Sequence, residues 1–276
     1  LELTRGYMAF RGVPGHEFVG YVVDSEEASL IGQRVAGEIN AGCGHCGSCN
    51  DTAGRHCAER TVLGILGRDG AFAEYLRLPN ANLLPVPASI NDELAVLIEP
   101  LAAAYEIFAQ IELKPESSIV VLGDGRLGAI VGLALKANGF SLVIAGHHQE
   151  KLARLAALGL AGATADDLRR QYDVVIDCTG SPSGFSQALE LVRPRGTIIL
   201  KSTAASAESL NLAPIVINEI SVVGSRCGRF QPAIAAMADG SIDLSPLIDG
   251  VYPLGEAFAA FAAAANPVNF KILIRP

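Results

Sequence analysis

At 276 residues, half of them hydrophobic, the chain is long enough to bury two ordinary cores rather than one. Its formal net charge of −8 argues against nonspecific binding to nucleic acid or to anionic membrane, since both need a basic surface, and favours small-molecule chemistry. No apolar run reaches the length of a spanning helix, and the dispersed Glu2, Arg5 and Arg11 do not form a signal-peptide layout, so the expected location is the cytoplasm.

Residues 1–99 read as short strands and glycine-rich loops, with strands expected at Gly20 to Asp24, Gln33 to Ile39 and Ala71 to Pro79. From Asn91 to Gln110 the spacing of Leu94, Leu97, Ile98, Leu101, Tyr105 and Phe108 predicts one helix that bridges two domains and ends as Pro115 approaches. Strands and helices then alternate: strand Ser118 to Leu122, helix Gly125 to Asn138, strand Ser141 to Ala145 and helix Gln149 to Leu158. Strand Val174 to Asp177, helix Gly184 to Leu191 and strands Gly196 to Lys201 and Ile220 to Val223 follow. Such alternation implies an α/β domain with a doubly wound parallel sheet. An Ala-rich helix from Gly255 to Ala265 and a strand from Phe270 to Ile274 close the chain, and Thr203 to Ser209 reads as a surface loop. The expected division is 1–99 with 238–276 as one domain and 100–237 as the other.

Two segments carry chemistry by their spacing. Cys43, Cys46, Cys49 and Cys57 form C-x2-C-x2-C-x7-C, in which four thiolates on one short loop can close a tetrahedral zinc shell with no open position. Two disulfides are the bland alternative, but a three-residue step rarely suits a disulfide. The remaining cysteines, Cys178 and Cys227, sit in apolar surroundings and read as buried bystanders.

After the apolar strand comes Gly123-Asp124-Gly125-Arg126-Leu127-Gly128, then a helix, which is the setting of a Rossmann dinucleotide fingerprint. The pyrophosphate would sit on the helix N-terminus. The acid that usually binds the ribose 2′-hydroxyl stands roughly 20 residues beyond the first glycine, and here Gly146 holds that place. His147, His148 and Lys151 follow, a neutral-to-basic stretch that tilts the expectation towards NADP over NAD. Cys178, Thr179 and Gly180, after a later strand, complete the expected cofactor contacts.

Gly15-His16-Glu17-Phe18-Val19-Gly20 is expected to begin a strand, and Glu99-Pro100 lies on the bridging helix. The order GHEFVG, four-cysteine lobe, GRDGAFAEY (Gly67 to Tyr75), EPLA and dinucleotide fingerprint resembles the zinc-dependent medium-chain alcohol dehydrogenases, in their polyol, sugar and threonine dehydrogenase branch. The resemblance implies a Rossmann domain plus a β-rich GroES-like catalytic domain. It makes His16 a catalytic zinc ligand, Glu99 the third protein ligand and Glu17 an alternating or second carboxylate behind the metal. It also implies hydride transfer between an alcohol or polyol and NAD(P), and a homodimer or homotetramer assembled through the strand of Glu219 to Gly224.

One departure is notable. In relatives the first ligand, a cysteine, stands in a C-x-[ST]-D segment, and this chain opens at Leu1-Glu2-Leu3-Thr4-Arg5-Gly6-Tyr7 without it. The expectation is therefore a fragment that holds the reactive zinc poorly and turns over negligibly. Two competing classes are a zinc-independent quinone or enoyl reductase, and a dinucleotide-binding sensor or pseudoenzyme that keeps only the structural zinc.

Overall fold

The computed structural model describes residues 10–52, 54–164, 167–169, 171–203 and 210–276, so the opening residues Leu1 to Tyr7 and most of the loop expected at Thr203 to Ser209 lie outside the described residues. The chain divides into two compact units, one of residues 1–102, 227–264 and 272–276 and the other of 103–226 and 265–271. Among the described residues no helix is long and apolar enough to cross a membrane.

The first unit is built from short strands. β1 (Gly20–Tyr21), β2 (Arg34–Gly37) and β6 (Leu83–Pro85) form one antiparallel sheet in the order β1-β2-β6. β3 (Asn40–Ala41), β4 (Thr61–Leu63) and β5 (Gly67–Arg68) form a mixed sheet, antiparallel between β3 and β4 and parallel between β4 and β5, and the short helix α1 (Gly47–Thr52) lies within the cysteine lobe. Ile39, Val62 and Leu63 are buried at its core, with Phe18, Ile65 and Leu78 packed against them. The expected strand from Ala71 to Pro79 does not form. The backbone N–H groups of Gly70, Ala71 and Phe72 donate instead to the carbonyls of Val13, Gly15 and Pro14, at 2.7, 2.9 and 3.0 Å, so this segment serves as a clamp on the residues before His16. The same bonds hold Val13 to Gly15 out of a ladder, and the strand expected from Gly15 shrinks to β1.

The bridging helix also differs from its expected form. It splits into α2 (Asp92–Ala95) and α3 (Ile98–Gln110). Asn91 caps α2 by accepting the N–H of Leu94 at 2.9 Å, and Pro100 sits in the first turn of α3, where its missing N–H costs nothing.

The second unit carries β7 (Ile119–Leu122), α4 (Arg126–Ala137), β8 (Leu142–Ala145), α5 (Gln149–Ala157), β9 (Ala161–Ala163), β10 (Tyr172–Asp177), α6 (Gly184–Leu191), β11 (Val192–Leu200), α7 (Ala213–Ile217) and β12 (Ser221–Gly224). The six strands are all parallel, in the order β12-β11-β10-β7-β8-β9, as the alternating pattern predicts. Buried Val120, Leu122, Val175 and Ile198 form the centre of its core. β9, α7 and the first residues of β10 and β11 escape the sequence pattern because they are short or lack an apolar run. The first unit is completed by α8 (Phe230–Ala238), β13 (Ile248–Pro253), α9 (Ala257–Ala265, of which the unit takes residues to Ala264) and β14 (Lys271–Arg275, from Ile272 on), with β13 and β14 paired.

Candidate functional site

All six cysteines of the chain are free thiols, and in the cysteine lobe the four sulfurs of Cys43, Cys46, Cys49 and Cys57 lie within 4.8 Å of one another. Cys43 Sγ and Cys49 Sγ are 3.8 Å apart, and Cys46 Sγ and Cys49 Sγ 3.5 Å. Thiolates sharing a tetrahedral zinc at its usual bond length stand about 3.8 Å apart, so the donor set fits zinc in chemistry and in size. The backbone already treats the sulfurs as acceptors: the N–H of Gly44 points at Cys49 Sγ at 3.3 Å and that of Cys43 at Cys57 Sγ at 3.5 Å. A backbone hydrogen bond at His45 brings the Cys43 thiol down to about 6 against a smaller burial effect. Cys46 gains from a backbone bond at Cys49, yet its proton-sharing with the other sulfurs and its burial push it up to about 11.

The same unit brings His16, Glu17 and Glu99 together, with one ligand atom of each within 4.8 Å of the others. His16 and Glu17 follow directly on the clamp described above. A side-chain carbon at Gly64 or at Gly70 would overlap the carbonyl oxygen of Gly15, so both glycines are required for the close approach that fixes this segment. Asp69 Oδ1 accepts the N–H of Val13 at 2.8 Å and adds a further tie. Glu99 comes from the first turn of α3. A histidine nitrogen and carboxylate oxygens are ordinary zinc donors, and the group fits a metal of that class.

In the second unit the glycine-rich turn has the form the fingerprint requires. Gly123 adopts φ +107° and a side chain there would meet the Cys178 carbonyl oxygen at 2.8 Å, while one at Gly128 would overlap the Gly123 carbonyl. A side chain at Gly125 would meet open space. Gly125 is also the extended N-cap of the 12-residue α4, and no side chain caps that helix, so its N-terminal amides suit a pyrophosphate. Arg126 and Leu127 form its first turn. Cys178 backs the turn through its main chain, with its N–H bonded to Leu122 at 2.8 Å, and burial pushes its thiol up to about 12, so it is no nucleophile.

The loop Cys178 to Gly180 is held by two residues that sequence reasoning passed over. Asp177 Oδ1 accepts from Thr179 N–H at 2.9 Å, Thr179 Oγ1 at 2.7 Å and Ser202 Oγ at 2.9 Å, and Ser202 Oγ in turn accepts the Gly180 N–H at 2.8 Å. A third overlooked residue is Asp124, whose carboxylate fills the space beside Gly146: a side chain at Gly146 would meet the Asp124 Cβ at 2.5 Å and overlap its Oδ2. Its Oδ2 accepts the N–H groups of His147 and His148 at 2.8 and 2.7 Å, and its Oδ1 pairs with His148 Nδ1 at 2.9 Å. Lys151, expected at the cofactor phosphate, is only 6% exposed, with its Nζ 5.2 Å from the centre of the Phe270 ring. A lysine so enclosed is spent on packing and a cation–π contact rather than offered to an anion.

Comparison with known proteins shows the family of the chain. The alcohol dehydrogenase GroES-like domain model matches residues 2–88, and the zinc-binding dehydrogenase model matches residues 127–239. A sorbitol dehydrogenase of Halalkalibacterium halodurans is 28% identical over 284 residues, which cover 95% of this chain and 82% of that protein. An L-threonine 3-dehydrogenase of Streptomyces coelicolor is 30% identical over 283 residues, with 95% and 82% covered. Among solved structures, an alcohol dehydrogenase from Thermus sp. ATN1 is similar with a TM-score of 0.90 and 26% identity, over 99% of this chain and 89% of that one. With two matching domain models and relatives aligned along most of their length, the chain belongs to the zinc-dependent medium-chain alcohol dehydrogenase family.

Proposed function

We propose that this dehydrogenase moves a hydride between an alcohol or polyol, or the matching ketone or aldehyde, and NAD(P), with His16, Glu17 and Glu99 around a reactive zinc. The observation that carries the reading is the convergence of one imidazole and two carboxylates to within 4.8 Å, His16 and Glu17 from just after a clamped segment and Glu99 from α3. When bound, zinc would supply Lewis acidity towards the substrate oxygen. His16 would offer it a neutral ring nitrogen, Glu99 an oxygen from the first turn of α3, and Glu17 a second carboxylate beside them. Cys43, Cys46, Cys49 and Cys57 would hold a second zinc of structural role.

The open N-terminus of α4, with Gly123, Gly125, Arg126, Leu127 and Gly128, would receive the pyrophosphate. Cys178, Thr179 and Gly180 would border the cofactor further along, in the shape that Asp177 and Ser202 impose. The reading takes NADP over NAD, supported by the missing acid at Gly146 and by the donors that His147 and His148 can present. It includes a cytoplasmic location, in keeping with six free thiols. It also includes a homo-oligomer joined along β12, the outermost strand on its side of the sheet, where Val216 and Ile217 of neighbouring α7 are 78% and 77% exposed. No observation favours the sensor reading.

The test is a panel of alcohols and polyols with each cofactor, run alongside zinc counting on the reduced protein. In a chain that also carries the C-x-[ST]-D segment of relatives ahead of Leu1, two zincs per chain and reduction of NAD(P) with at least one alcohol are expected. One zinc per chain, with cofactor binding but no turnover on the panel, would move the assignment to a sensor.

A further inference from the structure

We infer that Asp124 is the positioning residue that decides between NADP and NAD, because it fixes the turn of His147 and His148 as a receptor for a ribose 2′-phosphate. The inference rests on the dinucleotide reading of the glycine-rich turn and deepens it. An acid that reads a ribose diol must turn free carboxylate oxygens outward. Asp124 does the reverse. Its side chain is 8% exposed, and its two oxygens take both backbone N–H groups of the turn and the Nδ1 of His148. Burial opposes its charge, but these bonds from His148 and His147, with the attraction of the imidazole, hold its carboxyl below the usual range. The chain therefore keeps a carboxylate at this corner of the sheet, supplied by the turn between β7 and α4 rather than by the end of β8, and consumes it internally.

The consequence falls on His148. An ionised carboxylate at Nδ1 obliges that nitrogen to donate, which leaves Nε2 as the ring's outer polar atom on a side chain that is 45% exposed. A phosphate at Nε2 would be the second anion on the same ring, and a ring that donates from both nitrogens to anions on either side is a strong, directional receptor. A ribose hydroxyl gains far less from it. The other charges around the turn do not compete: Lys151 and Arg154 of α5 lie over the Phe270 ring, Glu150 is exposed, and β9 (Ala161–Ala163) brings no titratable group.

The test is fluorescence titration of NADPH and NADH into the full chain and into Asp124→Asn, His148→Gln and the double variant. The parent should bind NADPH more tightly. Each single variant should weaken NADPH about tenfold, the scale of one hydrogen bond to a charged group, and change NADH less than about twofold. The double variant should be no worse than either single one, because both act through one contact. Selective loss of NADH in Asp124→Asn would mean that the carboxylate reads the ribose itself, and tighter NADPH would mean that its charge merely repels; either overturns the inference. So does an unchanged cofactor ratio in His148→Gln, whose exposed side chain makes that variant safe if Asp124→Asn does not fold. A parent that binds NADH as tightly as NADPH would instead remove the NADP reading beneath it.

Discussion

At Gly146 a single missing carbon decides how the cofactor corner is built. Sequence logic places the ribose acid there, finds glycine, and makes Gly146→Asp the natural substitution for restoring NAD. The structure makes that substitution costly, since the new side chain would run into Asp124, already fixed by His147 and His148. Gly146→Asp is therefore expected to lose about 1–3 kcal/mol of stability through steric overlap and the contact of two carboxylates, read as a lower urea midpoint at neutral pH. A variant as stable as the parent would show that Asp124 moves aside freely. The four cysteines were legible because their spacing is itself chemical, whereas His16, Glu17 and Glu99 were reached only through the family resemblance of the motifs around them. Asp124, Asp177 and Ser202 were not legible, because each takes part in hydrogen bonds with residues 22 to 25 positions away that only the folded chain brings near. The one available signal was an aspartate inside the glycine turn combined with a glycine where an acid is usual.

Elements with strong periodicity were readable, and those set by hydrogen bonds to distant segments were not. α4 and α5 and the strands β7, β8 and β10 to β12 fall where alternating apolar runs put them, whereas residues 71–79 fail as a strand because their first amides are spent on residues 13–15. In the cysteine lobe the ligands are local, so Cys46→Ser should leave an incomplete shell, release one zinc per chain to a chelator and cost at least about 3 kcal/mol in that lobe while NAD(P)H binding persists. Retention of full zinc content by this variant would remove the four-thiolate site. In the other unit Asp173 ties β10 to Ser118, just before β7, and to Arg193 of β11. Hydrogen bonds from the Ser118 hydroxyl and N–H, helped by Arg193 and opposed by burial, lower its carboxyl from 3.8 to about 2. A carboxyl depressed in the folded state stabilises fully above its unfolded value, and that contribution fades as pH falls from about 4 towards 2. The gain is modest because the pair with Arg193 is half exposed. Urea unfolding of the parent and of Asp173→Asn should differ at pH 5 and converge near pH 2. A gap that persists at the acid end would point to packing instead of charge.

For the molecule as a whole, the apolar stretch along α7 and β12 needs a cover. Leu212, Val216, Ile217 and Val222 are exposed together at one end of the parallel sheet, and a second copy can continue that sheet across a twofold axis. Sedimentation at micromolar concentration should give a dimer or tetramer, and Val222→Lys should shift it towards monomer. A parent that stays monomeric contradicts this assembly. The central claim, a reactive zinc at His16, Glu17 and Glu99 serving hydride transfer to NAD(P), is tested most directly by His16→Ala with three readings on one preparation: zinc per chain, NAD(P)H affinity and alcohol oxidation. In a chain that also carries the C-x-[ST]-D segment of relatives, zinc should drop from two to one, turnover should fall at least about a hundredfold and cofactor affinity should stay within about twofold, because the metal's Lewis acidity is lost and the dinucleotide turn is untouched. Two zincs and parental turnover in His16→Ala would contradict the account.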